Sequence, residues 1–447
     1  MGILEKIEAA GIVGCGGAGF PTHKKLTGNI EYLIVNGAEC EPLLRTDRYI
    51  MRNFAPQLVR AVTALKEEFH IPKCVFALKH HYREEAEALR KAVREAHAEI
   101  EVHELESFYP AGDEQTIVYE VTGRVVPPGG IPILKGAVVD NVATLLCISD
   151  AMDGVPFTEK YLTVTGDVAR PCVLRVPVGT SFRECIELAG GALGNSWFVV
   201  SGGPMMGRRI PMEAAAKEVV TKTTSGILVL PPDGYHARSH ELQIRTMLNR
   251  ARSACIQCSS CTELCPRHLL GHPLRPHRIM RKMAAGGDVR EMLDDPDVRN
   301  ALLCCECGIC EVYACPMGLQ PRRINGMLKQ RLGAAGIRYQ GSGADCTASP
   351  FRELRKAPTE RVAARAGVHR YYDYEITELR TASPERVEIP VKMHIGAPAV
   401  PCVSPGDRIP AGSVIAKPAE GALGAVIHAG IGGRVDSVGE RIVIVKE

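Results

Sequence analysis

Nine of the seventeen cysteines in this 447-residue chain fall between Cys255 and Cys315, and their spacing restricts the fold more than any other stretch. The first group reads Cys255-Ile-Gln-Cys258-Ser-Ser-Cys261-Thr-Glu-Leu-Cys265-Pro266, a C-x2-C-x2-C-x3-C-P pattern. The second, counted from Cys304, passes Cys307 and Cys310 to Cys315-Pro316 as C-x2-C-x2-C-x4-C-P. Three closely spaced thiolates wrap three irons of one cubane, and the fourth reaches the partner cluster. The pattern therefore assigns Cys255, Cys258, Cys261 and Cys315 to one [4Fe–4S] cluster. Cys304, Cys307, Cys310 and Cys265 fall to the other, and Cys305 is left as a non-ligand. Zinc, the alternative metal, uses four ligands per ion, usually as two separated pairs. His268, His272 and His277 follow the first motif and read as solvated or backbone-bonded, since eight thiolates complete two cubanes. The 38 residues between Cys265 and Cys304 exceed a minimal ferredoxin and include helical text, REMLDDPDVRNALL, so a helical ferredoxin variant is expected.

The rest of the chain divides by texture. Residues 1–155 alternate strand-like and helix-like segments (EYLIVNGAE, RNFAPQLVRAVTALKEEF, KCVFALKHH), which predicts a Rossmann-like, mostly parallel sheet. Residues 156–238 read as a small β-grasp-like module with a connecting strand. Helical text begins at Ser239 and runs through the cysteines, giving a helical dicluster unit over 239–335. Residues 336–384 are charged and irregular and read as a linker that packs on its neighbours. Residues 385–447 alternate with frequent turn signals, as in a small all-β barrel-sandwich unit. The whole is a multidomain α/β chain. No apolar run reaches the roughly 18 residues of a membrane helix. The start, MGILEKIEAAGIVG, lacks the order of a secretion signal, so a cytoplasmic protein is expected. A net charge of +3 and 5% aromatics argue against nucleic acid as a partner.

Three loops carry further chemistry. Residues 14–26, GCGGAGFPTHKKL, bring Gly14, Gly16, Gly17 and Gly19 together. Such a loop admits close approach of a phosphate, and on its own it equally describes a tight turn. It has no G-K-[ST] and is not a Walker A loop. Asn36-Gly-Ala-Glu39-Cys40-Glu41-Pro42 follows the strand YLIV, and Tyr109-Pro-Ala-Gly112-Asp113-Glu114 forms a second acidic loop. Polar residues past a strand's C-terminal end are where α/β sheets bind ligands.

Together these loops resemble the flavin- and NADH-binding segments of the flavoprotein subunit of respiratory complex I. That resemblance implies FMN held by Gly14, Gly16, Gly17, Lys25, Asn36, Glu39, Tyr109, Gly112, Asp113, Asn141 and Thr144. It implies NADH contacts from Phe20, Lys25, Glu41 and Glu114, with the two glutamates facing ribose hydroxyls and favouring NADH over NADPH. Cys15 stands where the family usually has Arg, Ala38 where it has Asp, and Leu26 where it has an aromatic. FVVSGGPMMGRRI, VTKTTSGILVL and HIGAPAVPCVSPGDRI resemble the RnfC component of the Rnf electron-transport complex, except that the HIGAP-type module lies here after the clusters. That order, with VPPGGIP and CCECGICEVYACPMGLQPRRIN, resembles the cobalamin reductases of propanediol-utilisation microcompartments. The resemblance implies a corrinoid acceptor reduced from cob(III)alamin and cob(II)alamin towards cob(I)alamin. A microcompartment location follows, with a shell protein or a corrinoid adenosyltransferase as possible partner. Two other readings stay open: an Rnf-like NADH:ferredoxin oxidoreductase, and a non-autonomous electron-wiring subunit. Val391-Lys392-Met393 echoes a biotin-carrier turn, but Lys392 follows directly on a strand, so a structural barrel is expected instead.

Overall fold

The computed structural model describes residues 2–237, 242–286, 291–341 and 345–447. The expected helix start at Ser239 and the first residue of REMLDDPDVRNALL lie outside them.

The N-terminal unit is a parallel sheet of four strands, β1 (Tyr32–Asn36), β2 (Lys73–Lys79), β3 (Glu101–Leu105) and β5 (Ala137–Asn141), in the order β3-β2-β1-β5. The short strand β4 (Phe108–Tyr109) lies outside this sheet. A parallel sheet is covered on both faces, so its strands read as apolar runs rather than alternations; Leu33, Ile34 and Val35 are all buried. The helix Ala55–Glu68 buries Leu58, Val59, Ala61, Val62 and Leu65, one stripe at helical spacing. The chain moves outward from β1 to β2 and β3, then returns to place β5 on the other side of β1. Strand order therefore reverses between β1 and β5, the crevice where open α/β sheets bind ligands. Asn36 and Asn141 end these strands in register with each other.

The second unit is a six-stranded sheet ordered β12-β7-β6-β10-β8-β9. It consists of β6 (Glu159–Gly166), β7 (Cys172–Pro177), β8 (Phe198–Ser201), β9 (Arg208–Pro211), β10 (Gly226–Leu230) and β12 (Leu379–Thr381). The helix Phe182–Leu188 packs on it, started by Ser181, whose hydroxyl accepts from the Glu184 amide at 3.2 Å. The cysteine-bearing unit is helical. The helices Ile244–Ala254, Pro276–Ala285 and Pro321–Ala334 share a core of Met247, Ile279, Met280, Ile324 and Leu328. The C-terminal unit is all β, in two sheets of four and three strands from β13 (Arg386–Pro390) to β19 (Arg441–Val445).

The segment read as a linker is a clasp. Strand β11 (Ala357–Pro358) pairs with β4, the helix Thr359–Arg365 buries Val362 and Ala363, and β12 extends the six-stranded sheet. Strands of two or three residues are too short to leave a period-2 signature, which is why the sequence reads as irregular there. The C-terminal unit also packs on the N-terminal one. Ala425 belongs to the first hydrophobic core, and Lys222 Nζ donates to the carbonyls of Gly11 at 2.6 Å and Val426 at 2.9 Å. Among the described residues no helix is long and apolar enough to cross a membrane.

Candidate flavin and iron–sulfur sites

The three loops singled out in the sequence converge at the β1/β5 crevice. The Asn36 side chain donates to the Gly112 carbonyl at 2.8 Å and accepts from the Ala38 amide at 3.0 Å. The Gly112 amide donates to Cys40 Sγ at 2.9 Å. A Cβ at Gly112 would strike the Ala38 carbonyl oxygen, so this close approach requires glycine. Asn141 caps the helix Val142–Met152 by accepting from the Ala143 amide at 2.9 Å, and its Nδ2 donates to Asp47 at 2.7 Å. The glycine loop lies over the same helix start: the Cys15 amide donates to Thr144 Oγ1 at 3.0 Å. At Gly16 a Cβ would press on Asn141 at 3.1 Å, whereas at Gly17 it would meet open space. The loop is closed at one glycine and open at the next, beside a helix N-terminus whose amides and dipole suit a phosphate. These residues fit FMN. At Cys15, the hydrogen bond with Cys147 outweighs burial and, with the Lys160 charge, draws the thiol down to about 6.

Four residues of the expected set stand differently from a simple ligand contact. Lys25 donates to the Val139 carbonyl and pairs with Glu114 at 3.1 Å and the buried Asp140 at 3.5 Å; against the pull of burial, these carboxylates hold its pKa above the ordinary value. Tyr109 is fully buried and its hydroxyl donates to the Cys307 carbonyl at 2.5 Å. Asp113 caps the helix Glu114–Thr122 and takes both guanidinium nitrogens of Arg267, at 2.5 and 2.9 Å. Burial opposes ionisation of Asp113, but the Arg267 charge wins and lowers its pKa. Glu41 departs furthest from the expectation of a ribose-facing carboxylate. Its oxygens accept from the amides of Met205 and Met206, each at 2.8 Å, and it is buried. A Cβ at Gly203 would strike the Glu41 side chain, so the Gly-Gly-Pro-Met-Met loop is shaped around this carboxylate. Burial lifts its pKa to about 7 although both amides oppose that shift. Of the expected NADH contacts, Phe20 and Glu114 keep exposed surface, 38% and 43%.

Burial and the neighbouring Cys315, Cys258 and Cys255 thiols push Cys261 up to about 12. The hydrogen bond with Cys305 and burial raise Cys307, which Cys310 and Cys265 face; burial dominates at Cys265, where Cys305 is the first neighbouring thiol and Cys304 a lesser one. Cys315 is thus a neighbour of Cys261, and Cys265 of Cys307, the proximity that crossed ligation would use. Amides of Leu319 and Glu306 point at Cys315 Sγ and Cys304 Sγ, at 3.3 and 3.4 Å, as donors that stabilise thiolate. Among the described residues no group of three His, Cys, Asp or Glu side chains is placed to hold a single metal ion. Two of the three histidines bond to the protein, His272 Nε2 to the Val126 carbonyl at 2.9 Å and His277 Nδ1 to Thr262 Oγ1 at 2.7 Å, whereas His268 Nδ1 is buried with no hydrogen-bond partner among the described residues. Arg267, two residues past Cys265, was not singled out from the sequence; its place beside a cysteine motif was the available signal. The Met205–Met206 amides carry no side-chain signal at all.

Family models match four stretches: a Nuo51 FMN-binding domain at residues 7–150, an SLBB domain at 161–209, a 4Fe-4S dicluster domain at 254–320, and an RnfC barrel sandwich hybrid domain at 364–447. Cobalamin reductase PduS of Salmonella typhimurium is 41% identical over 99% of this chain and 96% of its own length. The third-lettered component, C, of the Na+-translocating ferredoxin:NAD+ oxidoreductase complex of Acetobacterium woodii is 36% identical over 60% of this chain and 58% of its own length. Among solved structures, an NAD+-reducing [NiFe]-hydrogenase in the H2-reduced state shares the fold at TM-score 0.50 and 19% identity. That match covers 76% of this chain and 62% of the hydrogenase chain.

Proposed function

This chain belongs to the family of the PduS cobalamin reductases, and from that membership we propose that it is an NADH-dependent oxidoreductase that reduces cob(III)alamin and cob(II)alamin towards cob(I)alamin. FMN is held by the Gly14–Gly17 loop, Asn36, Glu39, Gly112, Asn141 and Thr144. Two [4Fe–4S] clusters are held by Cys255, Cys258, Cys261 and Cys315, and by Cys304, Cys307, Cys310 and Cys265. The chemistry a bound FMN supplies is uptake of two electrons as hydride and their release one at a time, as iron–sulfur clusters require. Lys25, Phe20 and Glu114 receive NADH on the exposed side of the loops. The junction between the flavin loops and the cysteine unit carries this reading. The Tyr109 hydroxyl meets the Cys307 carbonyl at 2.5 Å, and Asp113 is clamped to Arg267 just after Cys265. Both contacts lie within packed protein, so the flavin loops and the cysteine unit adjoin directly. A microcompartment setting, with a shell protein or corrinoid adenosyltransferase nearby, is part of the same proposal.

The test is anaerobic turnover of the full-length protein with NADH, offered hydroxocobalamin and ferredoxin separately. Cobalamin reduction is expected. Turnover with ferredoxin alone would favour the second reading, an oxidoreductase like the ferredoxin:NAD+ complexes, one component of which this chain resembles. Tyr109→Phe is expected to slow NADH-driven cluster reduction several-fold while dithionite still reduces the clusters. An unchanged stopped-flow rate would remove this contact from the electron path.

A further inference from the structure

A cavity of about 410 Å3 opens beside the end of β2, between Lys79, the arginines 45, 48 and 52, and the segment 372–377. It shares Glu39 and Glu41 with the flavin loops, but Gly112, Asn141 and the glycine loop do not line it. Lys79 is 2% exposed, and its Nζ donates to the Glu39 carbonyl at 2.7 Å and Thr359 Oγ1 at 3.5 Å. Arg45 donates to the carbonyls of Pro42 at 3.0 Å, Leu44 at 3.1 Å and Tyr372 at 2.5 Å. Among the described residues neither side chain forms an ion pair with a carboxylate. Arg48 and Arg52 share the buried Glu85, at 2.6 and 2.8 Å.

Buried charges are normally paired, because an uncompensated ion in a low-dielectric site is costly. Two of these four cations have only neutral acceptors. Glu41 is engaged by Met205 and Met206, and burial raises the pKa of Glu39, whose Oε1 accepts from the Glu41 amide at 3.2 Å. Burial is also the main cause that lowers the pKa of Lys79 and Arg45. Aromatic faces adjoin the cations: Arg48 lies 4.6 Å from the Tyr82 ring centre and Arg45 5.9 Å from that of Tyr372. Tyr374 stands at the mouth, 39% exposed.

We propose that this cavity is a second ligand site, which takes a single phosphate ester carried on a flat ring, that is, a nucleoside monophosphate unit. Glu39 alone faces both Lys79 and Arg45 with a carboxylate, so the two cations exceed their nearby counter-charge and a phosphate supplies the remainder. The tyrosines supply stacking surface for the ring, and the volume lies in the range of small-molecule sites. Asp373 and Glu375 stand exposed at the mouth. Two molecules carry such a unit: a pyridine dinucleotide in its adenylate half, and a corrinoid in its nucleotide tail. Only the second source rests on the proposed function.

The experiment is calorimetric titration of the full-length, cofactor-loaded protein under anaerobic conditions. AMP probes the first source and α-ribazole 3′-phosphate the second. Saturable binding of at least one is expected, weakened about tenfold or more in Arg45→Gln and in Arg52→Gln, with flavin and iron content unchanged. If Arg45→Gln does not fold, Arg52→Gln decides. Absence of binding by both probes overturns the proposal, as does affinity unchanged in the variants. AMP binding lost in the variants, in a protein that fails to reduce hydroxocobalamin, would sink the corrinoid function and leave this site standing.

Discussion

Gly17 and Glu41 differ in what a substitution does, because one faces open space and the other is enclosed. At Gly17 a side chain meets nothing within 4 Å, so Gly17→Asp is tolerated by the fold and places a carboxylate beside the proposed phosphate position. The variant is expected to lose flavin, read from the visible flavin absorbance, with its melting temperature close to that of the flavin-free wild type; full flavin occupancy would refute the phosphate placement. Glu41 has a linkage consequence. Burial raises its folded pKa from 4.5 to about 7, so the folded state binds the extra proton between those values. Its contribution to stability is therefore complete below about pH 4.5 and is lost as pH rises through about 7. Glu41→Gln is expected to flatten the fall of melting temperature across that window; parallel wild-type and variant curves would contradict the assignment. The sequence made the acidity of Glu41 visible but not its partners, which are backbone amides 164 and 165 residues away.

At the scale of elements, legibility followed range. The cysteine motifs are local in sequence, since the first three cysteines of each lie within seven residues, and so an expected grouping can be drawn from spacing alone. The β1/β5 crevice was readable through strand-then-loop order. The Asp113–Arg267 clamp spans 154 positions and left no local trace. The same holds for β11 and β12, which are meaningful only against the strands they pair with. Crossed ligation makes a sharp expectation here. Intact protein should hold about eight irons per chain, and Cys265→Ser, which alters the first motif, should remove the cluster of the second motif's trio and leave about four. Cys305→Ser should leave all of the iron in place. Iron analysis with EPR on anaerobic protein checks both, and loss of the other cluster's signal would reverse the pairing.

In the whole molecule, the four units are tied by a shared apolar core and by buried polar contacts. Lys222 makes one of these contacts: burial lowers its pKa to about 7, and it joins the Gly11 and Val426 carbonyls across two units. Lys222→Met leaves both carbonyls without this donor, which should cost about 1–3 kcal/mol. Hydrogen exchange in the C-terminal sheets should then quicken before exchange in β1; simultaneous quickening would mean that the units unfold as one. The same packing bears on the order in which the protein matures. The Gly19 carbonyl takes its hydrogen bond from the Ile395 amide at 3.3 Å, and a Cβ at Gly19 would press on His394 at 3.1 Å. The brace of the loop is thus encoded 376 positions after the loop itself. A nascent chain lacks this brace until Ile395 has been made, so a ribosome stalled before His394 would hold the strands of the N-terminal sheet with the glycine loop above them unsupported.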